Sequence, residues 1–202
     1  MESTKTRILK KLLETDGYLS GQELCEQLGV SRTAVWKYMK QLKEEGYEIE
    51  AIQNKGYCLK DVPDVLGESE IKSRLHTRWA GQTLYYYDEI DSTNTQIKRL
   101  AEEDAPHGTL AVADYQSRGK GRRGRAWDSP HGSAIYMSIL FRPEIRPDRA
   151  SMLTLVIGLS VTQAIRSNLG LQAQIKWPND VVLNGKKFSR NSDGNERADE
   201  LY

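Results

Sequence analysis

Two cysteines, two phenylalanines and three histidines in 202 residues leave little material for several kinds of protein. Cys25 and Cys58 show no paired spacing, so neither a disulfide framework nor a structural metal site is expected. No apolar run approaches the roughly 20 residues of a membrane span, and the start carries no export signal, so the reading is a cytoplasmic protein with no membrane partner. Charge of one sign is also missing. The 29 Lys and Arg balance 28 Asp and Glu, so anion binding must come from local clusters rather than from a global field.

One such cluster is present. Arg118-Gly119-Lys120-Gly121-Arg122-Arg123-Gly124-Arg125 packs five cations and three glycines into eight residues, shortly after an apolar run ending in Ala113-Asp114. Glycines let a backbone approach a ligand, and the cations suit a phosphate or carboxylate. The segment satisfies G-x-G-x-x-G, but a dinucleotide site needs a helix next. Here Ala126-Trp127-Asp128-Ser129-Pro130-His131-Gly132 is a turn, which excludes that reading.

The first sixty residues read as a winged helix-turn-helix. Ile8, Leu9, Leu12 and Leu13 predict an amphipathic helix ending at Asp16-Gly17. Ser20 with Glu23 forms a capping box for a short helix that stops at Gly29. Ser31 caps a third helix with Val35, Met39 and Leu42 inward. That leaves Arg32, Thr33, Trp36, Lys37 and Lys40 outside on a face with no acid, suited to the major groove. Tyr47, Ile49 and Ala51 alternate before the turn Asn54-Lys55-Gly56, giving a wing tipped by Lys55. Residues 1 to 60 hold nine acids and ten basic residues, so a small scaffold for protein contacts stays open beside DNA binding.

Asp61 to Val65 loses periodicity and places the boundary between residues 1–62 and 66–202. The second part alternates helices and strands, including a mostly apolar helix from Ser151 to Leu169 expected to be largely buried, and reads as α+β with helices on a mostly antiparallel sheet. Four groups could share a site. They are Ser92-Thr93-Asn94 at a helix start, Gln116 with the cationic loop, Trp127, and Lys176-Trp177-Pro178-Asn179-Asp180 with Lys186-Lys187. Each has a plainer reading. The first could only cap its helix, the tryptophans could be core, and the lysines could flank a hairpin tip at Asn184-Gly185.

Four stretches in this order carry a specific likeness: Ser31-Arg32-Thr33-Ala34-Val35-Trp36-Lys37, Asp91-Ser92-Thr93-Asn94, Gly119 through Trp127, and Lys176 through Asp180. From about Ile8 to Lys187 the chain resembles the bacterial bifunctional biotin protein ligase and biotin operon repressor family. The resemblance implies a class II synthetase-like catalytic domain. It also implies that biotin and ATP with Mg2+ give biotinoyl-5′-adenylate, whose biotinoyl group passes to a lysine of a biotin carboxyl carrier protein. The adenylate would also be corepressor for a homodimer on operator DNA. Carried over by position, Ser92, Thr93, Asn94 and Gln116 lie against biotin. Gly119, Lys120, Gly121, Arg122, Arg125 and Trp127 belong to the loop that orders over biotin and the adenylate. Arg122, Asp180 and Lys187 serve the chemistry, Lys187 by neutralising carboxylate and α-phosphate charge.

The alternative is a winged-helix regulator that senses a small acid without catalysis. After Lys187 the likeness is expected to break. Residues 188–202 begin with a polar run where the family has an apolar central strand, which reads as a frame slip and truncation leaving the sheet incomplete and the second domain loosely ordered.

Overall fold

The computed structural model describes residues 3–121, 125–146, 149–150, 152–177 and 180–190. Among them no helix is long and apolar enough to cross a membrane. The chain divides into two compact units, residues 1–117 with 129–141, and residues 118–128 with 142–202.

In the first unit, α1 (Thr4–Glu14), α2 (Gly21–Leu28) and α3 (Arg32–Glu44) each begin at a serine whose hydroxyl accepts a backbone N–H of the first turn. Ser20 thus accepts from Glu23, but the Glu23 carboxylate accepts from Gln27 Nε2 at 2.9 Å, a helical neighbour one turn on. Gly29 ends α2 in the left-handed conformation, with φ +67°. Ile8, Leu9, Leu24, Val35 and Leu42 are nearly or wholly sealed from solvent and form one core with Tyr47 and Ile49. Each large apolar side chain so buried contributes about 1.5–3 kcal/mol before chain entropy is counted.

Strands β1 (Glu48–Ile52) and β2 (Gly56–Asp61) make the wing. Ala51 faces outward rather than continuing the buried alternation of Tyr47 and Ile49, because the last two residues of β1 extend beyond the helical core. Tyr57 N–H and C=O both bond to Leu19, at 2.9 and 2.8 Å, which fastens the wing to the segment ahead of α2.

The expected boundary at residues 61–65 is not a gap in packing. Beyond it, α4 (Glu68–Arg74) runs against α1, with Tyr47 donating to Glu70 at 2.6 Å and Thr6 meeting Ser69 at 3.5 Å. Burial first and the Glu70 carboxylate second hold the Tyr47 phenol far above its ordinary range.

Next come β3 (Leu84–Ile90), α5 (Thr93–Glu102), β4 (Leu110–Gln116) and β5 (Tyr136–Ile139). β3 pairs parallel with β4, and β4 antiparallel with β5, so this three-stranded sheet is mixed. A parallel neighbour needs a crossover, and α5 supplies it, burying Ile97 and Leu100 against Ala111 and Leu140.

The second unit holds α6 (Met152–Leu169) and an antiparallel sheet of β6 (Gln174–Lys176), β7 (Asp180–Leu183) and β8 (Lys186–Arg190). Two expectations change here. The long helix buries a stripe of Thr154, Gly158, Thr162 and Ile165, while Met152, Leu155, Val156 and Leu159 are exposed. The excess of apolar residues predicts a largely buried helix, but its C-terminal half packs only one face, through Val161 and Ile165 on Ala173 and Val181. The polar run also does not stop the sheet at Lys187. Ser189 pairs with Val181 and Arg190 with Asp180, which a hairpin strand with an exposed face allows without apolar residues. Residues 191–202 lie outside the described residues.

Candidate functional site

In the first unit, parallel pairing sets Ile90 beside Gln116, so the β3–α5 turn falls next to the end of β4. Asp91 Oδ1 accepts from Ser92 N–H at 2.7 Å, and its carboxylate is clamped by Arg99 at 2.6 and 3.2 Å. This places Ser92, Thr93 and Asn94 at the start of α5, where the plainer reading has them as caps. Ser92 makes no side-chain cap bond. The residue is 2% exposed, and its hydroxyl meets no hydrogen-bond partner among the described residues. A buried hydroxyl without a partner costs free energy unless a ligand or water satisfies it. Half-buried Asn94 likewise has an amide with no partner among the described residues.

Thr93 and Gln116 are joined instead. Gln116 Oε1 accepts from Thr93 N–H at 2.8 Å and from Thr93 Oγ1 at 3.1 Å. Thr93 Oγ1 lies 2.9 Å from Ser138 Oγ, and Gln116 Nε2 donates to Ser129 Oγ at 2.9 Å. Sequence reasoning gave a site role to neither Ser129 nor Ser138, since an isolated serine in a strand or turn gives no signal of its own. Beside them Asp114 binds His131 Nδ1 at 2.7 Å, and the His131 ring stacks on Tyr115 at 4.7 Å.

In the second unit the two flanks of the cationic segment meet each other. Trp127 N–H donates to Gly119 O at 2.8 Å, Gly121 N–H donates to Arg125 O at 2.7 Å, and Lys120 bridges to Ala126. Gly119 is buried, while the Lys120, Arg125 and Trp127 side chains stand at the surface. Arg122 lies outside the described residues.

Asp180 opens β7, and Asn184 and Gly185, with φ +50° and +75°, turn the chain into β8. Lys187 returns opposite Val182 and reaches Asp180 Oδ2 at 2.8 Å. The lysines therefore do flank a hairpin tip, and Lys187 is also ion-paired. Trp177 is 76% exposed and takes no part in a core.

The α3 face carries Arg32, Thr33, Trp36, Lys37 and Lys40 at the surface, with Trp36 60% exposed. It is not free of acid, because Glu44 lies one turn on and pairs with Lys40 at 3.7 Å. Between this helix, the start of α2 and the wing lies a groove of about 500 Å³ reached by Gln22, Arg32, Gln53 and Lys55. Lys55 and Lys60 sit over the Tyr18 ring at 5.2 and 5.4 Å. The Tyr18 hydroxyl donates to Glu50 at 2.6 Å, and with Lys60 it lowers the Glu50 carboxyl below its ordinary value.

Residues 86–190 match the biotin/lipoate A/B protein ligase family, and residues 4–58 match an HTH domain. The bifunctional ligase/repressor BirA of Bacillus spizizenii is 46% identical over 189 residues, covering 93% of this chain and 58% of that protein. BirA of Escherichia coli is 35% identical over 179 residues, covering 88% of this chain and 54% of that protein. Among solved structures, the biotin protein ligase from Aquifex aeolicus in complex with biotin and ATP aligns at 40% identity and TM-score 0.46, over 52% of this chain and 44% of that one. The chain thus spans under two thirds of the length of these relatives.

Proposed function

The chain belongs to the biotin/lipoate A/B protein ligase family, and from that premise we propose that it joins biotin to a lysine of a biotin carboxyl carrier protein through biotinoyl-5′-adenylate. In this reading residues 1–62 are a DNA-binding module and residues 66–202 the ligase domain, in a cytoplasmic repressor whose adenylate-loaded homodimer binds operator DNA.

The observation that carries the reading is the unsatisfied Ser92 hydroxyl beside Asn94 and Gln116. A cyclic urea presents both N–H and C=O, the two partners that a hydroxyl and two carboxamides call for. Thr93 holds the Gln116 carbonyl oxygen, so Gln116 would serve the ligand as a donor. By the family resemblance, Lys187 would neutralise the biotin carboxylate and the charge that develops on the α-phosphate. Asp180 would keep the ammonium in place without covalent participation.

The segment from Gly119 through Trp127, with Lys120, Gly121, Arg122 and Arg125, would order over biotin and the adenylate and exclude water from a reactive anhydride. Among the described residues no three His, Cys, Asp or Glu side chains gather to cage a metal. Mg2+ would arrive on the ATP phosphates, where it lowers their charge. In DNA binding, Arg32, Thr33, Trp36 and Lys37 would face the major groove, with Lys40 and Lys55 on phosphates.

Mass spectrometry of the purified chain with biotin and MgATP tests the ligase reading. Biotinoyl-5′-adenylate that disappears in Arg122→Ala supports it. Biotin-dependent DNA binding with no adenylate would replace it with a non-catalytic sensor.

A further inference from the structure

The polar chain around Gln116 has only one possible direction. Thr93 N–H is a donor and nothing else, so the end of the carboxamide facing it is the oxygen, at 2.8 Å. The single Thr93 hydroxyl proton goes to the same oxygen at 3.1 Å. Ser138 must then supply the proton in its 2.9 Å contact with Thr93 Oγ1. At the far end Gln116 Nε2 gives one proton to Ser129 Oγ at 2.9 Å, and among the described residues none takes its second proton. Both lone pairs of the carbonyl oxygen are occupied, so the free proton on Nε2 is what Gln116 can still offer.

Ser129 is 1% exposed and stands at the start of a turn fastened from two strands. Gln116 N–H donates to Ser129 O at 3.2 Å. Asp114 on β4 accepts from Gly132 N–H at 3.2 Å and holds His131 at 2.7 Å. Tyr136 on β5 donates to Pro130 O at 3.1 Å. A turn anchored this way is a fixed post rather than a passing contact.

We infer that Ser129 is a positioning residue of the ligand pocket: its buried hydroxyl holds the Gln116 carboxamide in the plane that serves both Thr93 bonds and aims the second Nε2 proton at a ligand acceptor. This rests on the proposed biotin reading and adds to it a residue that acts through Gln116 without touching ligand. Without Ser129 Oγ, the carboxamide loses its anchor and swings, and one Nε2 proton is left without an acceptor.

The test uses the full chain labelled with 15N-glutamine and has two readouts. In the parent, one Gln116 side-chain N–H should exchange slowly with solvent in the absence of ligand. Ser129→Ala should abolish that protection and weaken biotin binding, measured by calorimetry, by about tenfold. Ser129→Thr, which keeps the hydroxyl, should restore both, and thermal unfolding of each variant checks that the fold is kept. Should Ser129→Ala not fold, Ser129→Cys fills the site with a slightly larger and weaker acceptor and should give partial protection and intermediate affinity. Unchanged exchange in the variants, or altered exchange with unchanged biotin affinity, overturns the inference. A parent chain that binds no biotin overturns the ligase reading instead, and the exchange data still decide whether Ser129 anchors Gln116.

Discussion

Lys187 Nζ lies 2.8 Å from Asp180 Oδ2 across the hairpin of β7 and β8, so two residues expected to share the chemistry are ion-paired with each other. The lysine side chain is 36% exposed and the aspartate 18%, so the pair is screened and is worth no more than about 1 kcal/mol to stability. Its weight should fall on function. Lys187→Ala and Asp180→Ala should each lower biotinoyl-adenylate formation by at least about tenfold, the loss of one charge-assisted contact, while denaturant midpoints barely move. Equal losses of stability and activity would make the pair structural.

Gly56 should tolerate no side chain. Its φ is +111°, and a Cβ there would lie 2.2 Å from Leu19 O, the atom that accepts Tyr57 N–H. Gly56→Ala should therefore cost roughly 2 kcal/mol or more, by strain and by loss of the wing's anchorage. Gly29, at φ +67° with nothing within 4 Å, should cost about 1 kcal/mol when changed to alanine. Urea unfolding of the two variants checks the order.

On the α3 face, Lys37 and Lys40 should differ. Lys40 is paired with Glu44 at 3.7 Å, whereas no ion pair is seen for Lys37 among the described residues. Lys37→Ala should lower the salt slope of DNA binding by about 1 and leave biotin affinity unchanged. The Lys40→Ala effect should be smaller, because Glu44 already screens that charge. Fluorescence anisotropy across a salt series reads both.

Acid should loosen the wing. The Tyr18 hydroxyl bond, and then Lys60 at 3.0 Å, hold the Glu50 carboxyl below its ordinary value. A carboxyl lowered in the folded state stabilises above its unfolded value of about 4.3, and that contribution fades as pH falls through the lower folded value. NMR signals of Tyr18, Lys55 and Lys60 should therefore shift together below about pH 4 and not near neutrality. Glu50→Gln should remove the transition, and a transition that survives this change would assign it elsewhere.

Most of the helix-turn-helix was legible from the chain alone. Serine caps before apolar residues at helical spacing are local signals, and the N-caps at Ser20 and Ser31 form as such signals imply. The long helix departs from its expected burial for a physical reason. Periodicity reports what a helix could bury, and the apolar residues of α6 outnumber the surface that covers them among the described residues. The Asp61–Val65 break was legible as a loss of pattern, but whether packing stops there is not a local property, and α4 continues onto α1.

Sequence by itself determined the helices, the wing turn at Asn54-Lys55-Gly56 and the residue types gathered at each candidate site, because caps, turns and periodicity act over four or five residues. Tertiary structure decided how those residues are used. Parallel pairing of β3 with β4 brings Thr93 to Gln116, 23 positions away, and the fastened turn brings Ser129 to the same carboxamide. It also left the Ser92 hydroxyl buried without a partner among the described residues and tied Lys187 to Asp180. Hydrogen-bond partners and desolvation depend on distances across strands, which spacing along the chain does not encode.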